Sequence, residues 1–165
     1  MSRLPKLVYL SLGSNLGDRE SNLNRALAAI ESASIRLIAR SSLYETEPQD
    51  VRDQPWFLNL AVECETSYFP VQLLAVLQRI ERELGRTRTA NATPKGPRLI
   101  DIDILFYEKV VMDNARLTIP HPRMLDRRFV LEPLLEIAPG LRDPGSGRPL
   151  REFLRKTETQ RLRKL

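Results

Sequence analysis

Apolar and polar residues alternate in two stretches of the chain and recur at helical spacing in two others. In "WFLNLAVECET" (56–66), Phe57, Asn59 and Ala61 share one face of an extended strand, and Leu58, Leu60 and Val62 share the other. In "GPRLIDIDILFY" (96–107), Ile100, Ile102 and Ile104 lie opposite Asp101 and Asp103. "KLVYLSLGS" (6–14) and "SIRLIARSSLYET" (34–46) read as two more strands, the first closed by Gly13 and Ser14. Leu23, Ala26, Leu27 and Ile30 predict a helix with Asp18 as its N-cap. Leu73, Leu77, Ile80 and Leu84 predict a second helix, opened by Pro70 and stopped at Gly85. "KVVMD" (109–113) reads as a short partner of the aspartate strand, and "FVLEPLLEIAP" (129–139) as a short apolar helix.

The order strand–helix–strand–strand–helix–strand predicts an α+β fold of ferredoxin-like type. That is one antiparallel sheet with helices packed on one face, plus C-terminal additions, leaving the other face free to build a site. With 165 residues and no repeat or linker, a single domain is expected over 1–154, followed by a basic tail at 155–165. Two segments lack apolar periodicity: the polar, proline-bounded loop 47–55 and the basic stretch 86–98, of which 86–97, with no apolar residue larger than alanine, is expected to be a lid.

Composition narrows the function classes only slightly. No apolar run approaches a membrane span, no signal-peptide pattern opens the chain, and Cys64 is the only cysteine, so a cytoplasmic protein without disulfides is expected. The sequence pI of 9.7 suggests a nucleic-acid partner until the charge is located. Residues 155–165 hold five Lys/Arg and one Glu, a net +4 of the total +5. The body is almost neutral, so a cationic site there requires local clustering.

Aspartate is depleted from strands, so Asp101 and Asp103 on one face call for a reason. They lie about 7 Å apart along the strand. On the residues alone two readings stay open: a face that meets water, or a carboxylate pair that binds Mg²⁺ and with it a phosphorylated cosubstrate. Arg86, Arg88 and Arg98 precede this strand, and Arg116, Arg123, Arg127 and Arg128 surround His121. Arg123 and Arg128 read as solvated surface; the others suit phosphate binding beside a metal. His121 lies between Pro120 and Pro122 and is either structural or a phosphate donor. "GSNLGDR" (13–19) lacks the Walker ending and the dinucleotide fingerprint, and reads as a strand-to-helix turn. Phe57, Asn59 and Phe129 are either core residues or an amide between rings, as in a heterocycle pocket.

Taken together, "YLSLGSNLGDR", "YETEPQDVRDQPWFLNLAV", "RIERELGR", "GPRLIDIDILFY" and "LTIPHPRMLDRRFVLEPLLEIAP" resemble the 6-hydroxymethyl-7,8-dihydropterin pyrophosphokinase family of folate biosynthesis. The resemblance implies transfer of pyrophosphate from ATP to the hydroxymethyl group of the dihydropterin, with AMP as the other product. It implies two Mg²⁺ ions on Asp101 and Asp103, and pterin contacts from Thr46, Phe57, Asn59 and Phe129. It implies ATP contacts from Gln78, Glu81, Arg88, Arg98, Ile104, Arg116, Thr118, His121 and Arg127, with Arg86 and Arg98 assisting the transfer. Its partners would be the two small-molecule substrates, with no nucleic acid and no membrane, and the working unit a monomer. The chain departs from the family pattern in "TANATPK" (89–95), which has no aromatic residue before Gly96, in Pro122 after His121, and in Phe57 where a tyrosine often stands. A ferredoxin-like nucleic-acid module and a non-catalytic ligand-binding domain share the strand and helix order; an acidic open face argues against the first.

Overall fold

Local chemistry starts the first two helices, and stops the second, where the sequence predicts. In the computed structural model, which describes residues 4–85 and 98–165, α1 (Arg19–Ser32) begins where the Asp18 carboxylate accepts the Ser21 N–H at 3.1 Å. The α2 helix (Pro70–Leu84) has Pro70 in its first turn, and the Gln72 side chain accepts the Phe69 N–H at 2.9 Å. Its last carbonyls are closed by the Gly85 N–H, 2.8 Å from the Glu81 oxygen.

The strands are β1 (Lys6–Ser14), β2 (Arg36–Arg40), β3 (Tyr44–Thr46), β4 (Phe57–Thr66), β5 (Asp101–Tyr107), β6 (Met112–Asp113), β7 (Thr118–Ile119) and β8 (Leu162–Lys164). Among the described residues six of them form one sheet in the order β5-β1-β4-β3-β8, with β2 pairing to β4 beyond β3. Each pairing is antiparallel. The expected strand 34–46 is two strands, because the chain leaves the ladder between Arg40 and Tyr44, where the Ser41 hydroxyl accepts the Ala61 N–H instead. "KVVMD" pairs through β6 with β7, not with the aspartate strand.

The sheet's first face carries the main core. Leu10 and Leu12 of β1, Leu58 and Leu60 of β4, and Ile102 and Ile104 of β5 pack against α1 and α2. Fully burying one such side chain contributes about 1.5–3 kcal/mol, so this face supplies most of the stabilisation.

The second face is not left wholly open. A bulge pairs Tyr9 with Phe106 and Leu10 with Ile104, leaving Leu105 as the extra residue. Tyr9, Ala61, Leu105 and Phe106 are thereby gathered on the half of this face that α3 (Arg128–Ile137) covers with Val130, Leu131 and Leu134. The 3-10 segment Leu150–Thr157 adds Leu150 to the same cluster. Only the other half of the face remains for a site. Residues 155–165 are also more than a tail: Thr157 is buried, and β8 pairs with β3. No helix among the described residues is long and apolar enough to cross a membrane.

Candidate active site

Strand register lays the floor of the site. Gly13 pairs with Asp101 on one side and with Asn59 on the other, while Asn59 pairs with Tyr44. Asp101, Gly13 and Asn59 therefore form one row across β5, β1 and β4, and Ser11 stands beside Asp103 in the next. Glycine is required in the middle of the row, because a Cβ on Gly13 would lie 2.5 Å from the Asn59 Oδ1.

Above this floor is a cavity of about 360 Å³, within the size range of small-molecule sites. One end is lined by Thr46, Phe57, Asn59 and Phe129, the other by Arg98, Asp101, Asp103, His121 and Arg127. The Asn59 amide donates to the Thr46 hydroxyl at 2.6 Å, which fixes the orientation of the amide in the cavity. The Arg127 guanidinium lies 5.4 Å from the Phe129 ring centre.

Charge is crowded at the second end. Arg98 donates to Asp101 at 3.1 Å. Burial raises the Asp103 carboxyl well above its ordinary range, and the charge of Asp101 adds to this. Behind the strand, burial also raises Glu81, which accepts the Ile102 N–H at 3.0 Å and lies within the field of both aspartates. His121 goes the other way: burial, with help from Arg127, lowers it to about 4. Its Nδ1 accepts the Arg123 N–H at 3.1 Å, so the neutral ring carries its proton on Nε2 as a donor.

The model of the family described as 7,8-dihydro-6-hydroxymethylpterin-pyrophosphokinase (HPPK) matches residues 9–139. The chain belongs to that family. A Bacillus subtilis 2-amino-4-hydroxy-6-hydroxymethyldihydropteridine pyrophosphokinase is 47% identical over 132 residues, covering 79% of this chain and 77% of that protein. A folic acid synthesis protein of Schizosaccharomyces pombe is 45% identical over 159 residues, and there the match spans 96% of this chain but only 21% of the relative's length. A crystal structure of wild-type Plasmodium falciparum HPPK-DHPS shares the fold, with a TM-score of 0.72 over 93% of this chain and 45% of that one, at 16% identity.

Of the positions matched to pyrophosphokinase roles, nine converge on the one cavity: the four pterin positions, both aspartates, Arg98, His121 and Arg127. Five others do not line it. Gln78 and Arg116 are exposed, Thr118 donates to Asp113, Ile104 is buried in the helix-side core, and Glu81 lies against the backbone of β5. Arg86 and Arg88, and the lid expected over 86–97, lie outside the described residues.

Sequence reasoning missed three contributors. Arg123 is exposed, as read, yet it also lines the cavity and pairs with Asp50 at 3.6 Å; Asp50 also reaches Arg127 at 3.8 Å. Asn15, read as part of a plain turn, is buried and clasps the site's edges together. Its Nδ2 donates to Gln54 Oε1 and the Pro55 carbonyl, and its Oδ1 accepts the Arg98 N–H at 2.7 Å. A buried asparagine inside a Gly-Ser-Asn turn was the available signal, because four polar valences there demand partners.

The aspartate pair fits a hard divalent cation. Its donors are all oxygen, and a carboxylate such as Asp103, raised by burial and by the charge of its neighbour, is what such an ion relieves. Among the described residues no group of three or more His, Cys, Asp or Glu forms a closed ligand set. The remaining ligands would then be phosphate oxygens and water, the usual coordination of Mg²⁺.

Proposed function

We propose that this chain transfers the β,γ-pyrophosphoryl group of ATP to the hydroxymethyl oxygen of 6-hydroxymethyl-7,8-dihydropterin. The new bond joins that oxygen to the β-phosphorus, the α–β bridge breaks, and AMP leaves with the bridging oxygen. The observation that carries this reading is that one cavity is lined by an amide and two phenyl rings together with a carboxylate pair flanked by guanidinium groups.

Asn59, fixed by Thr46, would bond the pterin's edge while Phe57 and Phe129 stack on its faces. Asp101 and Asp103 would hold Mg²⁺, two ions in our reading, which neutralises phosphate charge as the transfer proceeds. Arg98 and Arg127 would hold the phosphates, and the neutral His121 would donate from Nε2. Positioning and charge stabilisation dominate phosphoryl transfer, so no strongly basic side chain is needed. Ile104 of β5 is assigned in this reading, with Gln78, Glu81, Arg116 and Thr118 from segments beside it, to the rest of the nucleotide; β5 is an outer strand of the sheet. The working unit in this reading is a monomer.

The test is incubation with ATP, Mg²⁺ and the dihydropterin. AMP release at the rate of pterin consumption is expected. ADP release would mean single-phosphoryl transfer, and ligand binding without turnover would mean a regulatory domain; either result overturns the proposal.

A further inference from the structure

Two consecutive residues near the C-terminus grip the two walls of the ring-lined slot from behind. The Gln160 side chain donates to the Asp126 carbonyl at 2.7 Å and accepts the Arg128 N–H at 2.8 Å. Its own carbonyl accepts from the Arg128 guanidinium at 3.0 Å. One amide thus brackets Arg127 and fixes the start of α3, whose second residue is Phe129.

Arg161 holds the opposite wall. Its N–H donates to Glu47 Oε1 at 2.7 Å, and its carbonyl accepts the Glu47 N–H at 3.1 Å. Its guanidinium lies 3.3 Å from Glu47 Oε2 and 5.1 Å from the Trp56 ring centre. Glu47 follows Thr46, the partner of Asn59, and Trp56 precedes Phe57. From Leu162 the chain continues as β8, which locks this register against β3.

We propose that Gln160 and Arg161 set the separation between the Phe129 wall and the Thr46–Phe57 wall, and that Gln160 is a positioning residue for the pterin. The inference rests on the reading of the slot as the pterin site. The physical need is plain: a gap of about 0.5–1 Å beside a ring forfeits a quarter to a half of each contact's attraction. The Phe129 wall and the Phe57 wall sit on different elements, α3 and β4. A tie between them adds to the α3–sheet core in holding the width of the slot.

The test is calorimetry on the full chain, with pterin titrated in the presence of Mg²⁺ and a non-hydrolysable ATP analogue, and the analogue titrated alone. Gln160→Ala removes both side-chain bonds without touching the cavity lining. It is expected to weaken pterin binding about fivefold or more, with a smaller loss of analogue affinity through Arg127, which the two lost bonds bracket. Arg163→Ala, on the outer side of β8, is expected to change neither. Phe129→Ala serves as the control for the slot itself. Weakened binding in Phe129→Ala with wild-type affinity in Gln160→Ala overturns the positioning role alone. Wild-type affinity in both overturns the pterin slot, and this inference with it. Equal losses of pterin and analogue affinity in Gln160→Ala would reveal general loosening and also overturn it.

Discussion

The two faces of β1, β4 and β5 are made by the same strands from alternate residues, yet they tolerate change differently. Leu12, Leu60 and Ile102 face the helices; Gly13, Asn59 and Asp101 face the cavity. On the first face the requirement is apolar volume, and neighbouring side chains adjust to one another. On the second, each group has a particular partner: Asn59 has Thr46, Asp101 has Arg98, and Gly13 has the space that a Cβ would take from Asn59. A stability assay reports on the first face and an activity assay on the second.

The sharpest break of that division is Asp103→Asn. It keeps the volume and removes one of two crowded charges, so activity should fall on the order of 10³-fold while the urea midpoint stays equal or rises. Near-normal turnover in the folded variant at saturating Mg²⁺ would end the metal assignment. Next is Leu60→Ala on the opposite face, from a fully buried position. Urea unfolding should show a loss of about 2–5 kcal/mol, with substrate affinities retained by the molecules that remain folded.

Gly13→Ala blurs the division, because one methyl group on the site face meets Asn59 at 2.5 Å. A cost of about 1–3 kcal/mol is expected from overpacking, together with loss of pterin affinity measured by calorimetry. Unchanged pterin affinity would show that Asn59 moves aside freely. The smallest effect concerns pH. The Arg161 N–H holds the Glu47 carboxyl below its ordinary value of 4.5, against the opposing pull of burial, and the Arg161 and Arg52 charges contribute. A carboxylate lowered on folding stabilises fully above its unfolded value, and that stabilisation is lost as pH falls through the folded one. Glu47→Gln should therefore flatten the acid side of the stability–pH curve. Parallel curves for the two proteins would refute the assignment.

Legibility followed the length of the signal. Alternation over 56–66 and 100–104, helical spacing from Leu73 to Leu84, and the caps at Asp18 and Gly85 each span enough residues to define an element, and the structure places them as read. What failed was short or set by distant partners. The strand β8 is three residues long in a basic segment, and nothing local marks Glu45 and Glu47 as its counter-charges. Arg123 is exposed as read, but its link to the site was hidden because its carboxylate partner, Asp50, comes from a loop 73 positions earlier. The aspartate pair itself was visible, but the burial of Asp103 beside the charge of Asp101 is supplied only by the folded chain.

The row Asp101–Gly13–Asn59 also acts as a ruler. Two strand spacings, about 9.6 Å in total, separate the carboxylate column from the amide column, and backbone hydrogen bonds rather than side chains hold that interval. Substitutions in the walls can tighten or loosen the grip on a ring, but they cannot lengthen the scale. Under the proposed chemistry, selection among acceptors by the reach from ring to hydroxyl is written into the backbone of the sheet. Changing that reach would take a different fold geometry, not a different side chain.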